Sequence, residues 1–266
     1  MGVEVMSGFA NVDRVADPRS FVRYLDQARS TREIRAAKLR TFDILNVRKG
    51  SHILDVGCGT GDDAMALAKR VGRSGLAVGV DSSETMIAEA RRRARGLRLP
   101  VEFRCCDAHR LCFPNDTFDG CLAERVFMHV ADPERALSEM VRVARSGARI
   151  IVSEPGWETL VMEAGDQTVT SGIVKLIKDS FRSSKVGHQL PVLFAESGLQ
   201  AVTVETGTLL LREFAQADLA WRIREKVNGA LSAGQAARWL NCLEKASQAG
   251  RFFAAVTGFF VAGKKP

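Results

Sequence analysis

Apolar and polar positions repeat along this chain with two different periods, and the switches between them mark its elements. Residues 18–45 place Phe21, Leu25, Ala28, Ile34, Ala37, Leu39, Phe42 and Leu45 at mostly helical spacing among many charges, which predicts two amphipathic helices. A turn at Val47-Arg-Lys-Gly50 follows. The compact apolar run His52-Ile-Leu-Asp-Val56 then stops at glycines, as a buried strand does when it feeds a loop. From there the pattern predicts a helix over 62–71, a strand over 77–80, a helix over 84–95 and strands over 101–105 and 118–123, then a helix over 133–144 and a strand over 149–154. Strand and helix in alternation predict a parallel sheet covered on both faces, a doubly wound α/β domain.

Beyond Glu154 the pattern loosens. Residues 156–185 read as irregularly helical, with Gly165, Gly172 and Gly187 as punctuation; 199–205 alternates like a strand, 214–249 is helical, and 253–262 is a last strand. These segments are expected to supply a substrate lid and an antiparallel strand pair at the sheet edge. The chain reads as one domain over 1–266: a helical cap over 1–45, a ligand-binding core over 46–155, and lid helices with edge strands over 156–266. No internal repeat or low-complexity linker interrupts it.

Composition narrows the class of protein. With 46% hydrophobic and 26% charged residues in 266, the chain has the profile of a folded domain rather than a disordered one. The formal charge is +7, yet its densest run, Arg91-Arg92-Arg93-Ala-Arg95 with Arg98, falls on a predicted helix end, where cations meet the negative pole of the helix dipole. No stacking aromatics are interleaved there, so a solvated helix face is expected and no nucleic-acid partner. Six cysteines form neither a Cys-x-x-Cys pair nor a Cys/His ladder, so no metal site is expected, and most read as core thiols. The start Met1-Gly-Val-Glu-Val has no basic, apolar leader, which suggests a reducing, cytoplasmic compartment. Met6 stands where N-myristoylation wants Ser or Thr, and the apolar stretch 252–262 is about half a membrane span, so no membrane anchor is expected.

The chemistry concentrates at strand ends. Gly57, Gly59 and Gly61 lie between a predicted strand and helix, where glycine lets backbone N–H groups approach a polar ligand. Their G-x-G-x-G spacing lacks the third glycine of the dinucleotide fingerprint, since Asp62 stands there, and Asp62 and Asp63 would repel a pyrophosphate. Asp55 suits an ammonium group instead. Asp81 ends the second strand, where a carboxylate takes both ribose hydroxyls, and Cys106-Asp107-Ala108 ends the third, where an acid accepts from an adenine amine. Acids at three successive strand ends describe a pocket for an amino-acid-linked nucleoside.

Asp55-Val-Gly-Cys-Gly-Thr-Gly61, Val80-Asp81, Cys106-Asp107-Ala108, Phe118-Asp119 and Arg145-Ser-Gly-Ala-Arg-Ile-Ile151 resemble, in order and spacing, the type 11 (UbiE-like) branch of the class I S-adenosylmethionine-dependent methyltransferases. The resemblance covers about residues 35–155. It implies a Rossmann-like class I methyltransferase fold, a seven-stranded, mostly parallel sheet with a helical cap. It also implies S-adenosyl-L-methionine as cofactor, with Gly57, Gly59 and Gly61 at the methionine moiety, Asp81 at the ribose, and Asp107 and Ala108 at the adenine; the neighbouring Cys58, Thr60, Ser82 and Cys106 are counted with them as cofactor-binding. One departure is Arg145-Ser146-Gly147, where the family usually has a Pro-Gly turn. Met86 covers the adenine or sits in the core; Tyr24 is a lid or a packing residue; Glu124 and Arg125 orient the cofactor's polar end or a substrate acid.

His129 follows the fourth strand, where this class places substrate and base, and Glu154 ends the next strand. In related O-methyltransferases a histidine and an acid at these places serve as base and partner, so both are candidate catalytic residues. A structural His129 remains open, because methyl transfer needs chiefly alignment. The expected reaction is methyl transfer to an O, N or C nucleophile of a small-molecule metabolite, by a monomer or homodimer. Sensing, or non-methyl chemistry on the same cofactor, stays open beside it, because fold and cofactor site do not fix the reaction.

Overall fold

The computed structural model describes residues 8–29 and 32–266. The stretch before Gly8, on which the leader reading rests, lies outside the described residues. A short 3-10 helix, Gly8–Arg14, leads into α1 (Arg19–Arg29) and α2 (Arg32–Leu45), the two helices that the spacing predicts. The alternating core follows: β1 (His52–Val56), α3 (Asp62–Val71), β2 (Leu76–Asp81), α4 (Glu84–Ala94), β3 (Val101–Cys105), β4 (Phe118–Glu124), α5 (Pro133–Val143) and β5 (Ala144–Pro155). Local chemistry sets these boundaries. Ser83 caps α4, its side chain accepting from Met86 N, and Asp132 caps α5 by accepting from Arg135 N, with Pro133 at the first turn.

Strands β1 to β5 are all parallel, in the order β3-β2-β1-β4-β5. The chain then adds β6 (Val161–Glu163), α6 (Gln167–Asp179), α7 (Val186–Glu196), β7 (Gln200–Leu211), α8 (Phe214–Trp221), α9 (Ile223–Ala230), α10 (Ala233–Gln248) and β8 (Phe253–Lys264). Strand β8 inserts antiparallel between β5 and β7, and its first residues also pair with β6. The sheet therefore has eight strands rather than the expected seven, because β6 extends the β5 edge along β8. Helix α7, which carries Pro191 inside, has no counterpart in the sequence reading, and β7 runs six residues beyond the predicted 205.

Side-chain parity splits the core into two layers. Ile53, Leu122 and Ile151 face Phe42, Leu45 and Leu67 of α2 and α3, whereas Leu54, Val56, Cys121, Ile150 and Val152 pack with Leu137 and Met140 of α5 and Leu190 and Phe194 of α7. Both faces are covered, which is why the strands read as near-continuous apolar runs. Every strand β1 to β5 then ends at the same sheet edge, under the N-terminal helices.

Two expectations from composition need correction. Only Cys121 is buried; Cys58, Cys106 and Cys242 are half-buried, and Cys105 and Cys112 are exposed, because β3 is an edge strand and its following loop faces solvent. The arginine run is not simply solvated: Arg93 bridges Glu89, Asp26 and Asp62, tying α4 to α1 and to the start of α3, and Arg91 donates to Phe103 O. No helix among the described residues is long and apolar enough to cross a membrane, and they hold no cluster of His, Cys, Asp and Glu suited to a metal ion.

Candidate functional site

The glycine loop is bent by backbone geometry that other residues resist. Gly57, Gly59 and Gly61 all have positive φ, at 71°, 51° and 78°. A Cβ on Gly57 would lie 2.3 Å from a Val126 methyl, and one on Gly61 would lie 2.5 Å from the Phe103 ring. The loop is stitched to its neighbours: Cys58 N donates to Val80 O, and Gly59 N donates to Asp81 Oδ2 at 2.9 Å. Asp81 accepts from Ser83 N through its other oxygen, also at 2.9 Å. Its carboxyl is held above the usual carboxylate range by burial, against the pull of these backbone donors.

Two cavities open over this loop. The first, of about 100 Å³, is walled by Gly57, Cys58, Gly59 and Thr60, by Tyr24, Leu25 and Arg29 of α1, Lys38 of α2, Asp62 and Asp63 of α3, and by Met86, Glu124, Arg125, Met128 and His129. The second, of about 230 Å³, is walled by Ser82, Cys106, Asp107, Ala108, His109 and Arg182, and shares Gly57, Asp81, Arg125 and His129 with the first. Phe9 stands between them and lines both, its ring 5.3 Å from that of His129. The expected loop, ribose and adenine residues thus converge, with two corrections. Gly61 and Asp55 lie behind the walls rather than in them: Gly61 is packed against Phe103 and Ala90, and Asp55 is 3% exposed on the α2/α3 side of β1. Asp107 is partly engaged within its own loop: Oδ1 meets the ring and backbone nitrogens of His109, at 2.6 and 2.9 Å, which leaves Oδ2 for a ligand.

The first cavity carries paired charges. Arg29 and Arg93 hold Asp62, and Lys38 bridges Asp63 and Glu124, the latter at 3.1 Å. Burial works against the Lys38 ammonium, but Glu124 and Asp63 outweigh it and raise its pKa. Asp55 sits beside this group with Oδ2 unpartnered, and burial followed by repulsion from Asp63 lifts its pKa well above the ordinary value. Arg29, Lys38 and Arg93 come from segments with no local motif, so nothing in the sequence marks them as site residues. A zwitterionic amino acid fits this end, with carboxylates for its ammonium and Arg29 and Lys38 for its acid. The paired charges at this end, the glycine loop that borders both cavities and the Asp81 carboxyl beside it together fit S-adenosylmethionine.

The turn after β4 joins cofactor side to substrate side. Glu154, 1% exposed, accepts from Val126 N and Phe127 N through Oε1, both at 2.6 Å, and leaves Oε2 without a partner. This fixes the turn in which Arg125 takes a left-handed φ of 56°, an uncommon conformation for a bulky residue. Burial pushes the Glu154 carboxyl up to about 8. His129 is not its partner: His129 Nδ1 makes no hydrogen bond, its ring lies 5.9 Å from Phe181, and burial, followed by repulsion from Arg125, lowers its pKa to about 3. The expected His129–Glu154 pair is therefore absent: Glu154 Oε2 and His129 Nδ1 are both left without a partner.

A third cavity, of about 370 Å³, adjoins the first through Tyr24, Glu124, Arg125 and Met128. Its walls are largely apolar, with Ile34 and Ala37 of α2, Trp157, Leu209 of β7, Trp221 of α8, and Val256 and Phe260 of β8. Gly207 and Gly258 are paired across β7 and β8, which leaves the sheet face there without side chains. Tyr24 closes the partition, its hydroxyl donating to Ala220 O of α8 at 2.8 Å, so it clasps the two lids together. Met86 is 1% exposed, packed with Val12 and Phe21, and touches the cofactor cavity as part of that core.

Parallel strands in this order, a glycine loop after β1 and an acid after β2 define the class I, Rossmann-like methyltransferases. The chain belongs to the family described as a methyltransferase domain, whose model matches residues 47–228. It is 37% identical over 246 residues to an uncharacterized 37.1 kDa transposon protein of Streptomyces fradiae, covering 90% of this chain and 70% of that one. It is 36% identical over 128 residues to a demethylmenaquinone methyltransferase of Bacillus cereus, covering 48% of this chain and 54% of that protein, so it spans about half of that relative's length. The crystal structure of the YcgJ protein of Bacillus subtilis superposes with a TM-score of 0.63 at 19% identity, over 87% of this chain and 98% of that one.

Proposed function

We propose that the chain, working as one domain over 1–266, transfers the methyl group of S-adenosylmethionine to an O, N or C nucleophile of a small, largely apolar metabolite held in the 370 Å³ cavity. The observation that carries this reading is the shared wall: cofactor cavity and apolar cavity meet at Tyr24, Glu124, Arg125 and Met128, so a methyl group on one side faces an acceptor on the other. The cofactor supplies an electrophilic methyl on a sulfonium, which leaves as a neutral thioether. Gly57 and Gly59 give it a close backbone approach, Asp62, Asp63, Arg29 and Lys38 hold its amino-acid end, Asp81 takes the ribose, and Ser82 with 106–108 borders the adenine. The protein's part is alignment and exclusion of water under α1, α2 and α8, which is where most of the acceleration of such a displacement arises. An enclosed apolar space supports a small molecule over a nucleic acid as acceptor.

Titration calorimetry with S-adenosylhomocysteine tests the cofactor half. Asp81→Ala is expected to weaken binding by about 1–3 kcal/mol, the value of a hydrogen bond to a charged group. Unchanged affinity in that variant would remove Asp81 from the site, and no binding to the wild type would overturn the reading as a whole.

A further inference from the structure

The apolar cavity is bordered by a guanidinium that no carboxylate contacts directly. Arg125 lines all three cavities, lies deep in the protein, and makes no ion pair with any described residue; its Nε has no hydrogen-bond partner. The neighbouring acids favour its charge without pairing with it: burial works against the guanidinium, but Tyr24, Glu124, Asp63 and Glu154 outweigh it and raise its pKa, and Glu124 Oε2 is itself unpartnered. Glu124 and Asp63 share Lys38, Asp62 holds Arg29 and Arg93, and Glu154 gives one oxygen to the backbone of the turn. A guanidinium in such a place costs several kcal/mol unless an anion meets it. The cost grows when a sulfonium occupies the adjoining cavity, since like charges then face each other across a low-dielectric wall. Glu154 lines the same cavity, its buried Oε2 has no partner, and a carboxyl raised to about 8 is protonated at neutral pH, hence a hydrogen-bond donor.

Building on the methyl-transfer reading, we propose that the acceptor is an apolar carboxylic acid, its hydrocarbon body against Trp157, Trp221, Leu209 and Phe260 and its carboxylate bound by the Arg125 guanidinium with Glu154 beside it. The guanidinium is planar and presents paired N–H donors, a match for a carboxylate that neither a neutral ester nor an amide offers. The left-handed backbone at Arg125, held by the Glu154 bonds to the next two residues, sets the side chain at the partition where the methyl group emerges. The acid is thereby an anchor beside the reacting centre, and its negative charge offsets both the guanidinium and the sulfonium.

Calorimetry on the full chain, saturated with S-adenosylhomocysteine, would compare naphthoate with methyl naphthoate as probes of equal apolar body. The wild type is expected to prefer the acid by about tenfold or more, which corresponds to ~1.4 kcal/mol. Arg125→Met is expected to bind acid and ester alike, with its affinity for S-adenosylhomocysteine measured alongside. Equal wild-type affinities for the two probes, or no heat from either, would overturn the proposal without needing a folded variant. So would an Arg125→Met protein that keeps the acid preference but loses the cofactor product, since the guanidinium would then serve the methionine carboxylate. Failure of the wild type to bind S-adenosylhomocysteine overturns the methyltransferase reading instead, and the acid-to-ester ratio measured without it still decides the cavity's chemistry.

Discussion

Glu154 and His129 show how burial rather than residue type sets a role. The Glu154 carboxyl rises from an ordinary 4.5 to about 8, so the folded protein binds that proton more tightly than the unfolded chain does. Its contribution to stability is therefore full below pH 4.5 and is lost as the pH climbs through about 8. Urea titrations at intervals across that window are expected to show the wild type losing stability relative to Glu154→Gln, whose amide does not titrate; a constant difference would count against a buried, protonated acid. His129 behaves in the opposite sense. Its pKa falls from 6.5 to about 3, so the ring stays neutral in the fold, and the associated stability is present above 6.5 and is lost as the pH falls toward 3. A ring this weakly basic, without a carboxylate partner, is better suited to walling the cofactor than to taking a proton. His129→Phe is accordingly expected to keep turnover within about tenfold, whereas loss of a general base costs about a hundredfold or more. A hundredfold fall with unchanged cofactor affinity would restore the base assignment. The sequence placed both residues at the right strand ends; what it did not carry was which atoms of the next turn would claim the Glu154 oxygens.

At the scale of elements, the N-terminal segment is latched onto the core by contacts that no motif announces. Asp13, in the 3-10 helix, accepts from Ser83 Oγ at 2.7 Å, Glu84 N at 2.8 Å and Thr85 N at 3.1 Å, so it caps α4 from another part of the chain. Burial works against its charge, but those bonds outweigh it and hold its carboxyl below the usual range. Phe9, four residues earlier, stands between the two halves of the cofactor cavity, and Tyr24 of α1 reaches α8. A segment attached by a few polar contacts over a ligand site is a natural lid. Hydrogen exchange is expected to slow over residues 8–29 when S-adenosylhomocysteine binds, and Asp13→Ala to quicken it there while costing about 0.5–2 kcal/mol, the range for a lost helix cap. Protection confined to 57–61 would make the segment scaffold. The two helices were legible from their amphipathic spacing, and a lid role followed from their place in the family. The latch was not legible, because its partners are some seventy residues apart in the chain and meet only through the fold.

At the scale of the molecule, one strand outside the family match completes the sheet. The matched region ends at residue 228, yet β8 (Phe253–Lys264) pairs with β5, β6 and β7 and lines the apolar cavity through Val256, Gly258 and Phe260. Without it β5 and β7 would each expose an unpaired edge, and Val152 would lose its neighbour Val261. A chain ending at residue 252 is therefore expected to lack a cooperative thermal transition by circular dichroism and to be recovered mainly as aggregate. A soluble product with a wild-type melting curve would show that β8 is dispensable.

The order of strands and helices from β1 to β5, the loop Gly57 to Gly61 and the acid at Asp81 were legible in the chain alone, because each is a local constraint: a period of side chains, a positive φ, a residue at a strand end. The short spans from strand to helix left little freedom in how those pieces joined. Only the tertiary structure decided that Asp55 lies behind the wall, that Lys38 and Arg29 complete the charged end, that Glu154 serves a backbone turn, and that an unpaired Arg125 faces an apolar chamber. Each of these depends on which distant side chains exclude water from a given atom, and that is fixed by how α1, α2, α8 and β8 close over the sheet rather than by any stretch of the chain read alone.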